Sequence, residues 1–144
     1  QLIDAYDEYQ ASAIVLGRTD EQGTKMYGIV KPRQVTEKVF QIDDLVEKPG
    51  PEKAFSDLAS LGRYVFTPEI FEGIKKTKPD HRGEMQLPDG IKYLIDKPAV
   101  YGILFDGDRY DCGDKIGFLE ATISLALKRP EIGQKLREDL KSHS

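Results

Sequence analysis

The chain has 144 residues, 39% hydrophobic and 32% charged, with a net charge of -4. This is the composition of one ordinary globular domain with room for a core, and it excludes a broad basic face for nucleic acid or an anionic membrane. No apolar run reaches the roughly 18 residues of a membrane span, the acidic start QLIDAYDEYQ does not suit a signal peptide, and a single cysteine excludes an internal disulfide or a multi-cysteine zinc site.

Leu2, Ile3, Tyr6 and Tyr9 share one face at helical spacing and predict a short amphipathic helix. That pattern begins at Gln1 without an initiator methionine, which points to a piece of a longer protein; the one cysteine and the many charges point to the cytoplasm. SAIVLG reads as a buried strand and TDEQGTK as a turn. KMYGIV is a second strand with Gly28 inside it, where glycine marks a bulge or a close backbone approach. KVFQIDDLVEKPG starts as a strand and ends in a loop fixed by Pro49 and Pro51. Pro49 is expected to hold Lys48 in extended backbone and to direct the Glu47–Lys48 pair out of the sheet. LASLGRYVF is the next strand, in which Gly62 suggests close packing and Arg63 either a dedicated partner or an edge position.

Thr67, Pro68 and Glu69 predict a helix start with a hydroxyl cap, followed by Ile70, Phe71 and Ile74. After the polar loop KTKPDHRGE, a helix holds Leu87, Ile91, Leu94 and Ile95, with Glu84 and Gln86 placed to cap it. AVYGILF is a strand. Ile116, Leu119, Ile123 and Leu127 mark a longer helix, and Pro130 opens a terminal one with Ile132, Leu136 and Leu140, so terminal helices occupy 114–142. The mixture gives an α/β class, a mixed sheet with helices against it. Neither a GxGxxG nor a Walker A lysine loop is present, so no complete nucleotide loop is supplied.

Two stretches carry candidate chemistry. DGDRYDCGDKIGF sets four aspartates around Cys112, but Tyr110, Asp111 and Gly117 fall where an EF-hand needs an oxygen ligand, glycine and glutamate. Cys112 lacks a CxxC partner, and His81 and His143 are distant in sequence, which argues against redox or zinc chemistry. What remains is a turn with Asp114 capping the next helix, or one carboxylate that ligates a hard cation such as magnesium beside substrate phosphates. The second stretch is VEKPG, where an acid beside a base can take sugar hydroxyls and a phosphate together, or form a solvated charge pair.

The order and spacing of YGIV, VEKP, LGRYVFTPEIF, GEMQLPDGI and YDCGDKIGF resemble the C-terminal half of bacterial UTP–glucose-1-phosphate uridylyltransferases over nearly the whole chain. The resemblance implies a Rossmann-like nucleotidyltransferase fold, with residues 1–144 as the C-terminal part of a catalytic domain on its sugar-phosphate side. Glucose 1-phosphate, UTP and UDP-glucose would be the substrates and product, Mg2+ the cofactor, and a homo-oligomer the assembly. By position, Gly28 resembles the glycine lying against the sugar and Glu47 the acceptor of sugar hydroxyls. Lys48 resembles the residue binding the sugar phosphate, Glu84 and Gln86 lie in a segment near the sugar pocket, and Asp111 resembles a magnesium ligand. Lys48 and Asp111 would then carry the catalysis. QLPDGI stands where QLTDAI is usual, and SDLA where SNLA is usual, which puts the sugar preference in question. The glycine-rich loop and a first metal aspartate belong to the half this chain does not contain, so the chain alone is expected to be inactive. The alternatives are a non-catalytic sugar-phosphate-binding or oligomerisation module, and a related sugar-1-phosphate thymidylyltransferase.

Overall fold

Five strands, Ser12–Arg18 (β1), Gly28–Gln34 (β2), Val39–Glu47 (β3), Leu58–Val65 (β4) and Val100–Leu104 (β5), pair in the order β1–β4–β2–β3–β5. β5 returns to lie parallel to β1, so the mixed sheet closes on itself. The computed structural model describes every residue except His81, Arg82, Asp96, Pro98, Asp114 and Ser144. It divides into two compact units, Gln1–Phe105 and Asp106–Ser144. The capping role expected of Asp114 therefore lies outside the described residues.

β1 is buried from Ser12 to Leu16 because both of its faces are covered. Ile14 and Leu16 point into the main core with Val30, Ile42, Leu45 and Val100 from the neighbouring strands. Ile70 from helix α2 (Ile70–Lys76) and Ile91 and Leu94 from helix α3 (Leu87–Ile95) complete that core. On the opposite face, Ala13 and Ile103 meet Ala5 of helix α1 (Leu2–Tyr9), and the Tyr9 and Tyr101 rings stack with centroids 4.3 Å apart. The short α1 is thus held by an aromatic lid over small residues.

α2 and α3 pack backbone against backbone. A Cβ on Gly73 would lie 2.6 Å from the Gly90 carbonyl oxygen, a contact no side chain tolerates. Pro88 stands in the first turn of α3, where its missing N–H costs nothing, so QLPDGI opens a helix without strain.

The start of α2 departs from the sequence reading. The helix begins at Ile70, Glu69 occupies the capping position, and no side-chain hydrogen bond caps it. The Thr67 hydroxyl is engaged elsewhere, 3.3 Å from the buried Ser12 Oγ, which also accepts the Thr67 N–H at 3.0 Å. That pair ties the end of β4 to β1. The Thr67 hydroxyl also bonds the Glu69 carboxylate and lowers its pKa.

Within the second unit, helices Lys115–Leu127 (α4) and Gly133–Ser142 (α5) follow the predicted pair, with α5 starting three residues after Pro130. No helix among the described residues is long and apolar enough to cross a membrane.

Candidate functional site

The antiparallel β2–β3 ladder sets Gly28 opposite Glu47. Gly28 begins β2 rather than lying inside it, and its missing side chain is what gives the Glu47 carboxylate its place. A Cβ there would sit 3.0 Å from Glu47 Oε2 and 3.2 Å from Leu45 Cδ1. β2 meets β4 through the single pairing Ile29–Ala59 among the described residues. On the Gly28 side of that bridge the strands part, and a pocket of about 250 Å³ opens between them. Gly28 and Glu47 line it from β2 and β3, Ser60, Gly62 and Tyr64 from β4, and Pro88 from α3.

The β4 wall is made by a bulge. β1 and β4 pair Ile14 with Tyr64 and then Leu16 with Ser60, so Leu61, Gly62 and Arg63 stand opposite Val15 alone. Two extra residues must be absorbed, and Gly62 does so with φ 68°, in the left-handed region. The sequence suggested close packing as the reason for this glycine. The structure gives a different one, since the nearest atom to a Cβ there is Tyr64 Oη at 3.9 Å. Arg63 is exposed and donates to the Gly62 carbonyl at 2.8 Å, so its partner is backbone.

Lys48 corrects a second expectation. Its φ is 47°, left-handed rather than extended. The turn is held from both sides: Lys48 N–H donates to the Tyr27 carbonyl at 3.2 Å and Gly50 N–H to the Thr24 carbonyl at 3.1 Å. These bonds to the turn before β2 offset a backbone strain of about 1–3 kcal/mol. Strain of that size in a non-glycine residue is a frequent mark of a functional position. The result places Lys48 Nζ 3.7 Å from Glu47 Oε1, with the side chains 54% and 37% exposed and therefore open to a ligand.

Gly28, Glu47 and Lys48 are thus brought together. Glu84 and Gln86 are not part of that group. The Gln86 amide donates to Asp80 Oδ2 at 3.2 Å and Glu84 Oε2 at 3.3 Å, so this segment knots on Asp80, and its contribution to the pocket is Pro88. Asp57 is not among the pocket residues; its carboxylate pairs with Arg18 at the surface, which accounts for an acid in SDLA.

In the second unit, Asp111 Oδ1 accepts the Gly113 N–H at 3.0 Å and Oδ2 lies 3.7 Å from Arg109 Nη2. This exposed carboxylate fits a magnesium site as one hard oxygen ligand beside phosphates and waters. Among the described residues, no group of three or more His, Cys, Asp or Glu side chains encloses a metal by itself. Asp108, another of the four aspartates, pairs with Lys128 just beyond α4 and raises that ammonium's pKa. Of the pocket residues, Pro88 lies in the QLPDGI segment that the sequence had already set against the sugar preference, while Ser60 and Tyr64 carried a readable signal only in the neighbouring Gly62.

The chain is similar to UTP–glucose-1-phosphate uridylyltransferase 2 of Streptococcus pyogenes serotype M3, with 41% identity over 144 residues. That match covers 99% of this chain and 47% of the relative, so the chain spans about half the length of the curated relatives it matches. Among solved structures, a UDP-glucose pyrophosphorylase from Acinetobacter baumannii superposes with a TM-score of 0.86 at 29% identity, covering 99% of this chain and 49% of the other. A UDP-glucose pyrophosphorylase complexed with UDP-glucose gives a TM-score of 0.80 at 36% identity, over 88% of this chain and 48% of the other. The family model for nucleotidyl transferases matches residues 1–127. With most of its length under that model and its fold matched by these structures, the chain belongs to the nucleotidyl transferase family.

Proposed function

We propose that the chain is the C-terminal half of a UTP–glucose-1-phosphate uridylyltransferase and carries the sugar-phosphate side of its site. The observation that supports this most is the Gly28–Glu47 pairing over the pocket, with Lys48 turned beside it. A carboxylate accepts hydrogen bonds from sugar hydroxyls, the glycine lets the sugar approach the backbone, and the lysine ammonium takes the adjoining phosphate. The pocket lies just below the roughly 300–1000 Å³ of drug-sized ligand sites, a size suited to one monosaccharide ring.

The reaction joins UTP and glucose 1-phosphate into UDP-glucose and pyrophosphate. An ionised phosphate oxygen of the sugar forms a bond to the α-phosphorus of UTP as the bond to pyrophosphate breaks. That nucleophile is already an anion at neutral pH and needs no general base. The chain's task is to hold it in line and to offset charge between two polyanions. Lys48 does both for the sugar phosphate, and Asp111 would ligate magnesium, which supplies charge neutralisation on the phosphates when bound. The assembly is a cytoplasmic homo-oligomer in this reading, which light scattering of the full-length protein checks.

In the full-length protein, Lys48→Ala raises the KM for glucose 1-phosphate, while Asp111→Asn lowers kcat and shifts the magnesium dependence. Turnover and metal dependence unchanged in Asp111→Asn would remove that residue from the site. The 144-residue chain alone, lacking a glycine-rich nucleotide loop, forms no UDP-glucose; product formation by it would overturn the division of labour.

A further inference from the structure

We infer that Ser60 is a specificity-determining residue of the β2–β4 pocket, its hydroxyl bonding one hydroxyl of the sugar. The inference rests on the sugar-phosphate reading of that pocket and adds a residue which neither the motifs nor the resemblance single out.

Ser60 lies on β4 at the foot of the bulge, paired with Leu16 and followed by the Leu61–Arg63 insertion. It lines the pocket beside Gly62. Among the described residues, its Oγ is the one buried side-chain oxygen without a hydrogen-bond partner. Such an oxygen is costly to keep, because the water it gave up has not been replaced. Ser12, the fully buried serine of the same sheet, shows the usual outcome: its Oγ is engaged by both the Thr67 N–H and the Thr67 hydroxyl.

The residue as a whole is only partly buried while its Oγ is closed off. No bond holds the hydroxyl in that position. Rotation about χ1 between staggered wells is the motion by which Oγ would reach the cavity its own residue lines. A ligand there supplies the missing partner, so the hydroxyl costs stability in the free protein and contributes affinity in the complex. A glutamate on one wall and a hydroxyl on the other suit a polyhydroxylated ring. A site that bonds a substrate hydroxyl discriminates against the analogue lacking it, because its own group is then left unpaired.

The test titrates the 144-residue chain, Ser60→Ala and Glu47→Ala with glucose 1-phosphate and its monodeoxy analogues in a calorimeter. Wild type should bind one analogue about five- to tenfold more weakly than glucose 1-phosphate. Ser60→Ala should lose that factor on glucose 1-phosphate and no longer distinguish this analogue. Without ligand, Ser60→Ala should melt at or above the wild-type temperature and gain less on saturation. A lower melting temperature, the wild-type deoxy profile in Ser60→Ala, or an equal loss across all analogues would overturn the role of Ser60. Binding that still falls in Glu47→Ala would then leave the sugar pocket standing. No binding by wild type would overturn both.

Discussion

Gly28→Ala separates the proposed site from the fold that carries it. The new Cβ would meet Glu47 Oε2 at 3.0 Å and Leu45 Cδ1 at 3.2 Å. The carboxylate is the free end of a flexible, partly exposed side chain and can swing away. Leu45 is 1% exposed and must yield by a few tenths of an ångström, which sets the packing cost near the low end of overpacking, about 1 kcal/mol. Alanine also narrows the unfolded ensemble, which returns about 0.4–1 kcal/mol. Net stability therefore changes by less than about 1 kcal/mol. Binding is affected far more, because Glu47 loses its resting place against the strand and with it the charged hydrogen bonds to the sugar. Bonds of that kind contribute about 1.5–3 kcal/mol, or roughly 10- to 150-fold in affinity. Urea denaturation and calorimetry with glucose 1-phosphate measure the two effects separately. Wild-type affinity in Gly28→Ala, or a stability loss above about 3 kcal/mol, would show that the glycine serves the core rather than the pocket.

Gly73→Ala places a Cβ 2.6 Å from the Gly90 carbonyl oxygen, and since backbone cannot step aside, it should cost about 1–3 kcal/mol in urea. Gly90→Ala, whose nearest contact is Ile74 Cγ1 at 3.3 Å, should fall within about 1 kcal/mol of wild type by the same measure; equal losses in both would refute the backbone contact as the cause. Ser12→Ala removes the acceptor of the Thr67 N–H and should destabilise by about 1–3 kcal/mol, opposite in sign to Ser60→Ala. The Glu69 carboxyl is held below its ordinary 4.5, first by the Thr67 hydroxyl and then by the backbone, with desolvation opposing. A lowered folded value means that its contribution is present above the unfolded value and lost as pH falls through the folded one. Thr67→Val should bring the Glu69 NMR titration back towards 4.5, and an unmoved midpoint would remove the hydroxyl as the cause.

The local patterns were legible where burial is regular. SAIVLG and AVYGILF show as near-continuous apolar runs because their strands are buried on both faces, and the Leu87–Ile95 helix shows because its core face repeats at helical period. Proline rules misled at Lys48, since Pro49 disfavours compact backbone there while two long-range hydrogen bonds from the Thr24–Tyr27 turn over-determine it. Thr67 looked like a helix cap because sequence shows only near neighbours, and its buried partner Ser12 is 55 residues away. The same limit hid the pocket. Gly28 and Glu47 carry the marks of the family motif, but the wall made by Ser60, Gly62 and Tyr64 exists only through a bulge in the pairing of β4 with β1. Gly62 between Leu61 and Arg63 was the visible trace of that bulge, and it pointed to packing when the cause was a dihedral angle.

The central claim is that Gly28, Glu47 and Lys48 form a sugar-phosphate site. Calorimetric titration of the 144-residue chain with glucose 1-phosphate, beside Lys48→Ala, tests it most directly. Saturable heat in the wild type, with affinity lowered about tenfold or more in Lys48→Ala, is the expected result. No heat in the wild type, or binding indifferent to Lys48, would contradict it.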